Sequence, residues 1–147
     1  MYVLLQNPRQ LKKLQHSPEL IKSAVEELLR YDSPVQYSRR VASEDIEFGG
    51  FTMRKSDMVI PIIGAANRDP SQFANPHELD ITRTENKHLA FGLGSHFCLG
   101  AYLSRVESEL AILRLVDHFP KLKLETQKAE YRNSAGFRGL ESLMLTF

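Results

Sequence analysis

The stretch AFGLGSHFCLG, residues 90–100, constrains this chain most, because it places the only cysteine of 147 residues in a glycine-rich loop before an apolar helical repeat. An isolated cysteine is most often a small buried hydrophobic residue. Cys98, however, stands at the predicted start of a helix, where unpaired N–H groups and the helix dipole favour a thiolate. Four neighbours suit close contact with a flat, bulky group: Phe91, Gly92, Gly94 and Gly100. The loop therefore predicts a metal-ligating thiolate.

Two other uses of such a loop fit the residues less well. A phosphate-binding loop needs a Lys-Ser or Lys-Thr pair after its last glycine, and Ala101 and Tyr102 stand there instead. A structural zinc site needs four closely spaced ligands. Only His96 lies near Cys98, and the other histidines are scattered along the chain: His16, His77, His88 and His118. The phosphate loop is excluded, and zinc stays as a remote alternative.

Length and charge predict a single soluble domain over residues 1–147. With 42% hydrophobic residues the chain can build an ordinary core, and 19 basic against 18 acidic residues give a net charge of +1. Such a balance offers no broad field for nucleic acid or an anionic membrane. One cysteine cannot form an internal disulfide, and no signal peptide or membrane-spanning stretch is evident. We expect a cytoplasmic protein without nucleic-acid or membrane partners.

Two helices are predicted to open the chain. Asn7-Pro8 and Ser17-Pro18 each combine a capping side chain with a proline at the first helical position. The second helix carries an apolar stripe that ends at residues 32–34, and its polar face holds Glu26, Glu27 and Arg30. A third, longer helix is predicted from Leu99 to just before Pro120 by one apolar stripe: Leu99, Leu103, Val106, Leu110 and Leu113.

The remaining segments predict small β structure and an ordered loop. Alternating apolar residues on both sides of Gly49-Gly50 indicate a β-hairpin. Residues 64–90, rich in Asn, Asp, Pro and Arg, predict a meander without regular elements, and residues 122–124 and 143–147 predict terminal strands. The expected fold class is α+β, mostly helical: a helix pair, a small hairpin sheet, a meander, the cysteine loop, a long helix and terminal strands.

FGLGSHFCLG resembles the heme-binding signature of the cytochrome P450 monooxygenases, Phe-x-x-Gly-x-[His/Arg]-x-Cys-x-Gly. The resemblance implies that the Cys98 thiolate is the proximal ligand of the iron in heme b and the catalytic residue of the loop. It also implies that His96 binds one heme propionate. The residues that would line the cofactor in this loop are Phe91, Gly92, Gly94 and Gly100.

The resemblance extends to two motifs that mean little alone. Glu27 and Arg30 could be a solvated i,i+3 ion pair, but they match the family's Glu-x-x-Arg, with Arg83 as the expected third member of a structural triad behind the cysteine loop. Arg40, by itself a surface strand residue, matches the second propionate-binding position. Residues 34–37 and the turn around Phe137 match substrate-contacting segments.

Three functions of different classes follow. The resemblance covers nearly the whole chain but only the C-terminal part of the fold of soluble, bacterial-type family members, so the N-terminal part with the distal oxygen-activating helix is expected to be absent. The first function is the heme-thiolate half of a monooxygenase. It would insert one oxygen atom of O₂ into a small organic substrate and act with a complementary N-terminal half. The second is a non-catalytic heme-binding module, and the third is a heme-free, self-associating fragment with a structural role.

Electrons for such a monooxygenase would come from NAD(P)H through a ferredoxin, flavodoxin or reductase. Four basic residues flank the cysteine loop and its helix and predict a docking patch for an acidic redox partner: Lys87, His88, Arg105 and Arg114. A solvated helix face is the alternative. One departure from the family pattern is Ser56, which stands where a glycine is common.

Overall fold

The computed structural model describes residues 1–126 and 128–147 of the chain. Three helices come first, four short antiparallel strands follow, and the cysteine loop lies between the meander and the longest helix. In chain order the elements are α1 (Tyr2–Gln6), α2 (Pro8–His16), a 3₁₀ turn (Pro18–Leu20), α3 (Ile21–Tyr31), β1 (Arg40–Val41), β2 (Ile46–Phe48), β3 (Phe51–Met53), β4 (Met58–Val59), α4 (Ile63–Ala66), a second 3₁₀ turn (Gly94–His96), α5 (Ala101–His118), β5 (Lys123–Leu124) and β6 (Leu145–Thr146).

The two predicted helix starts are confirmed, but their capping side chains are not. α2 begins at Pro8, and the 3₁₀ turn that leads into α3 begins at Pro18. Neither Asn7 nor Ser17 makes a side-chain cap. The Asn7 Nδ2 atom instead donates to the Val3 carbonyl, 2.8 Å away in α1, because Asn7 also ends the preceding helix. The proline positions alone therefore located these helices correctly.

The predicted hairpin is confirmed. β2 and β3 pair antiparallel with Ile46 opposite Met53 and Phe48 opposite Phe51. Gly49 and Gly50 have φ angles of +58° and +81°, as a tight turn between twisted strands requires. β1 pairs antiparallel with β4, and β5 with β6, so the predicted terminal strands are present but shorter than expected.

The meander begins with a helical turn that the sequence did not predict. α4 extends into the segment that was expected to lack regular elements, and backbone bonds at 3.0 Å from Ala66 to Ile62 and from Asn67 to Ile63 close it. The buried side chain of Asn67 anchors the end of this turn. In residues 68–90 the backbone follows turns and bends without a helix or strand, as predicted.

The long helix is confirmed, but it begins at Ala101, and the stripe that predicted it is not its buried face. Leu99 lies outside the helix, and Leu103 and Leu110 are 60% and 57% exposed. α5 has apolar residues on two faces, and the face that packs on α3 carries smaller and branched residues. The core formed by α1, α2, α3, α5 and the meander contains Leu4, Leu14, Ile21, Ala24, Val25, Leu79, Ile81, Ile112 and Val116. In residues 1–126 and 128–147, no helix combines the length and apolarity that a membrane crossing requires.

Candidate functional site

The ion pair predicted on the polar face of α3 is fully buried. The side chains of Glu27 and Arg30 are both 0% exposed. Arg30 Nε donates to Glu27 Oε2 at 2.8 Å, and Arg30 Nη2 donates to Glu27 Oε1 at 2.9 Å. The alternative of a solvated i,i+3 ion pair is therefore excluded, because the meander covers both side chains.

Arg30 ties α3 to the meander backbone. Its Nη1 atom donates to the carbonyls of Asn67 and Pro76, each at 2.9 Å, and its Nη2 atom donates to the carbonyl of Glu78 at 3.1 Å. With the two bonds to Glu27, every N–H of the guanidinium has an acceptor. One side chain thus supplies the hydrogen-bond donors for three carbonyls of the meander, a segment with almost no regular structure.

Arg83 joins this pair from the meander. Its Nε atom donates to Glu27 Oε2 at 3.0 Å, and its Nη1 atom donates to the Ala74 carbonyl at 2.9 Å. The Asp80 backbone N–H and the Asn86 side-chain amide also donate to the Glu27 carboxylate, at 3.0 and 3.1 Å. The structure thus brings Glu27, Arg30 and Arg83 together, with the one carboxylate between two guanidinium groups.

Asn67 links this cluster to the cysteine loop. The Asn67 Nδ2 atom donates to Ser33 Oγ at 2.7 Å, and the Leu89 backbone N–H donates to Asn67 Oδ1, also at 2.7 Å. Sequence reasoning missed Asn67. Its signal was present in the Asn-Arg-Asp-Pro segment, where a polar residue directly follows the apolar residues 62–66.

A second polar cluster, which was not predicted from the sequence, is centred on Glu26, the residue of α3 next to Glu27. Glu26 accepts hydrogen bonds from Arg105 Nε at 2.6 Å, Arg105 Nη2 at 2.9 Å and His88 Nε2 at 3.0 Å. Partial burial alone would raise the pKa of Glu26, but the bonds from His88 and Arg105 outweigh it and lower that pKa to about 2.

This cluster corrects the predicted basic docking patch. The His88 side chain is only 3% exposed, and the partly buried guanidinium of Arg105 is paired with Glu26. Of the four predicted members, Lys87 and Arg114 remain exposed. His88 and Arg105 lie near the cysteine loop in sequence, but their acidic partner Glu26 lies far away in the chain, on α3.

The cysteine loop is shaped by two glycines and one backbone bond. Gly92 and Gly94 have φ angles of +74° and +71°, which residues with a Cβ rarely adopt. The Cys98 N–H donates to the Phe91 carbonyl at 2.9 Å, and the Ala101 N–H donates to the Cys98 carbonyl at 3.2 Å. Cys98 therefore lies three residues before the first residue of α5, and not directly before it as predicted, and its own N–H is bonded within the loop.

The loop presents an exposed thiol among exposed apolar side chains. Cys98 is exposed, and so are Leu93, Phe97 and Leu99 around it. Gly100 lies beside the thiol, since a Cβ added there would be 3.9 Å from the Cys98 sulfur. Among residues 1–126 and 128–147, no group of three or more His, Cys, Asp or Glu is placed to hold a metal ion, so the zinc alternative has no ligand set there.

The two predicted propionate-binding residues are exposed and separate. Arg40 lies in β1, and its Nη1 atom donates to the Arg39 carbonyl at 2.9 Å. His96 ends the 3₁₀ turn of the loop, with Nδ1 3.2 Å from Ser95 Oγ. In the described part of the chain, no hydrogen bond joins Arg40, His96 and Cys98 to one another. These groups fit heme: the thiol suits its iron, the two basic side chains suit its two carboxylates, and the exposed apolar side chains suit the porphyrin.

The two predicted substrate-contacting segments pair with each other. Val35 and Phe137 form an antiparallel bridge, and the Gln36 N–H donates to the Gly136 carbonyl at 3.0 Å. Arg138 Nε donates to Asp32 Oδ1 at 2.6 Å beside this bridge. The segments, about 100 residues apart in sequence, therefore form one unit.

The structure thus contains a buried Glu-x-x-Arg pair bonded to an arginine of the meander, and a glycine-rich loop with an exposed cysteine, the combination that the resemblance to the heme-thiolate proteins implies. The family model described as Cytochrome P450 matches residues 3–140, and the chain belongs to this family.

Curated relatives and solved structures agree with this membership. The chain is 53% identical over 144 residues to the biotin biosynthesis cytochrome P450 of Bacillus subtilis and 46% identical over 143 residues to the polyketide biosynthesis cytochrome P450 PksS of the same organism. These matches cover 98% and 95% of the chain but only 36% and 35% of the relatives, so the chain spans about a third of their length.

The crystal structure of P450BioI in complex with an acyl carrier protein ligated to hexadec-9Z-enoic acid matches with a TM-score of 0.95 and 52% identity. It covers 99% of this chain, which in turn covers 37% of that one. The structure of CYP109E1 from Bacillus megaterium in complex with testosterone also matches with a TM-score of 0.95, at 35% identity, with coverage of 98% and 40% respectively. The predicted fold class is confirmed by these neighbours.

Proposed function

We propose that residues 1–147 form one domain, the heme-thiolate C-terminal part of a cytochrome P450 monooxygenase. The observation that carries this proposal is the presentation of Cys98. Two left-handed glycines and the Phe91 carbonyl shape its loop, and Asn67 ties the start of that loop to α3 behind it. A loop whose backbone is held in this way, and whose thiol stays exposed, is suited to offer the sulfur to a ligand.

The residues present would hold heme b in an assigned way. Cys98 would ligate the iron, and His96 and Arg40 would each pair with one propionate. Gly92, Gly94 and Gly100 would let the porphyrin approach the backbone, while Leu93 and Phe97 offer it apolar surface. When bound, the heme supplies the activation of O₂ and the transfer of one oxygen atom to an organic substrate. Cys98 is the proposed catalytic residue, because it is the residue that would ligate the iron.

The outer face of α5 supports a requirement for a complementary N-terminal part. Tyr102, Leu103 and Leu110 are exposed on a helix whose other face lies in the core. A groove of about 590 Å³ between the ends of α2 and α5 continues this face and is lined by Leu110 and Leu113, among others. Since the chain spans about a third of its relatives, we propose that the remaining part of the family fold covers this face and closes the substrate side of the heme.

A cytochrome P450 monooxygenase needs an electron donor and a substrate as partners. A ferredoxin, flavodoxin or reductase would deliver electrons from NAD(P)H, and the exposed Lys87 and Arg114 remain as basic contacts for it. The substrate is a small organic molecule held near the paired segments of Val35 and Phe137. An acyl chain is the first class to test, because the structure at 52% identity was solved with a fatty-acyl carrier protein. We place the protein in the cytoplasm.

The deciding experiment is the absorbance spectrum of the purified chain after incubation with hemin, reduction and addition of carbon monoxide. The parent chain and the Glu107→Gln control, an exposed change on α5, should show a strongly red-shifted Soret band. Cys98→Ala should lack that band, because the thiolate produces it. A parent spectrum equal to that of Cys98→Ala would contradict the proposal.

The exposed apolar face of α5 also favours a second candidate, a heme-free fragment that associates with itself. Sizing with and without hemin separates the candidates. An oligomer that forms without hemin and binds none supports self-association. A hemin-bound monomer that oxidises no substrate, even with the complementary N-terminal part added, supports a heme-binding module.

A further inference from the structure

The two ring nitrogens of His88 have different partners, and this sets the position of its proton. The Ala90 backbone N–H donates to Nδ1 at 3.1 Å, so Nδ1 must hold a lone pair. The ring proton of a neutral His88 is then on Nε2, 3.0 Å from Glu26 Oε2, which accepts it. Glu26 therefore selects the tautomer that holds the Ala90 N–H, two residues before Gly92 begins the turn of the loop.

Glu26 acts on the same loop by a second route. Its two bonds to Arg105 fix the position of that guanidinium, whose Cζ atom lies 4.6 Å from the centroid of the Phe91 ring. Phe91 also packs edge-on against Phe97, with the ring centroids 6.4 Å apart. The Phe91 carbonyl is the acceptor for the Cys98 N–H.

Glu26 is thus linked to the cysteine loop at two adjacent residues, to Ala90 through His88 and to Phe91 through Arg105. The buried triad does not make these contacts. The triad bonds to α3 and the meander, and Asn67 holds only Leu89 at the start of the loop. Glu26 and Glu27 are neighbours in sequence, so adjacent residues of α3 serve the loop and the meander separately.

We propose that Glu26, His88 and Arg105 are positioning residues for the Cys98 thiol, through the hydrogen bond that His88 accepts from Ala90 and the stacking of Arg105 on Phe91. This inference rests on the proposed function for its purpose, but not for its test. The loop geometry it describes exists in the chain without heme.

The first experiment measures the chain without heme, by hydrogen exchange at the Ala90 amide and by the rate at which a chromogenic disulfide reagent modifies Cys98, the only thiol. His88→Leu removes the acceptor and should speed Ala90 exchange about fivefold or more. His88→Asn places an amide oxygen near the former Nδ1 and should restore exchange to within about twofold of the parent. Exchange at the Val25 amide of the core reports global opening and should not change.

Arg105→Lys provides a second variant that keeps the charge beside Glu26 but loses the two-pronged bond and the flat group over Phe91. It should change the Cys98 modification rate by about threefold or more, because Phe91 is released while the ion pair persists. Glu107→Gln, an exposed change on the same helix, is the matched control and should leave the rate at the parental value.

Equal Ala90 exchange in His88→Leu and the parent would overturn the inference. So would equal exchange in His88→Leu and His88→Asn, because only the bulk of the side chain would then matter. An unchanged Cys98 rate in Arg105→Lys would overturn the route through Phe91. If the parent forms no thiolate-type spectrum with hemin, the proposed function fails, while these heme-free measurements still decide the positioning role. If it forms one, His88→Leu should lower the red-shifted fraction and His88→Asn should restore it.

Discussion

Replacing Glu27 by glutamine keeps the shape of the side chain and removes the one negative charge between Arg30 and Arg83. The parent carboxylate accepts from five donors, two at Oε1 and three at Oε2. An amide turned either way places its NH₂ group against at least two of these donors, so at least two bonds are lost. Both guanidinium groups also lose their counter-charge.

Removing one partner of a buried ion pair costs about 3–5 kcal/mol, and a domain of this size has about 5–15 kcal/mol of stability in total. We therefore expect Glu27→Gln to lower the free energy of unfolding by about 3 kcal/mol or more. Urea denaturation followed by circular dichroism measures it, since the chain has no tryptophan. Glu85→Gln makes the same chemical change at an exposed site of the meander and should lie within about 0.5 kcal/mol of the parent. Equal midpoints and slopes for the two variants would refute the reasoning.

Three further predictions concern separate parts of the fold. The pKa of Glu26 is lowered from 4.5 to about 2, so its carboxylate stabilises the fold fully above pH 4.5 and loses this effect as the pH falls toward 2. The difference in unfolding free energy between the parent and Glu26→Gln should therefore shrink as the pH falls from 4.5 toward 2. A difference that stays constant would contradict the assignment. Ser56 has a φ of +74°, so Ser56→Gly should raise stability by roughly 0.5–1 kcal/mol in thermal unfolding, and a loss would show that its backbone is not strained. The partly exposed pair of Asp32 and Arg138 should give a coupling energy below about 1 kcal/mol in a double-mutant cycle, and a larger value would mean that water is excluded from it.

The sequence predicted well what depends on neighbouring residues. Prolines marked the starts of α2 and of the turn before α3, and Gly49-Gly50 marked the hairpin, because each restricts or frees its own backbone angles. The cysteine loop was recognisable for the same reason, since its glycines and its thiol lie within a few positions of one another.

What depends on distant partners was predicted poorly. Nothing local distinguishes Glu27, which is buried, from a solvated helix residue, and only the resemblance paired it with Arg83. His88 and Arg105 were read as surface charge because their partner Glu26 lies about 60 and 80 residues away. The apolar period of α5 located the helix, but it could not say which of two apolar faces would meet α3.

The hydrogen bond between Ser33 and Asn67 joins the two ends of the segment 33–67, which we call the base of this segment. Its tip, the hairpin of β2 and β3, is exposed along nearly its whole length. Since the entropy of closing a loop grows slowly with its length, residues added or removed at this tip change little at the base. The hairpin is therefore a place where this chain can gain or lose length, carry a tag or accept an inserted peptide, while the loop that presents the cysteine keeps its shape.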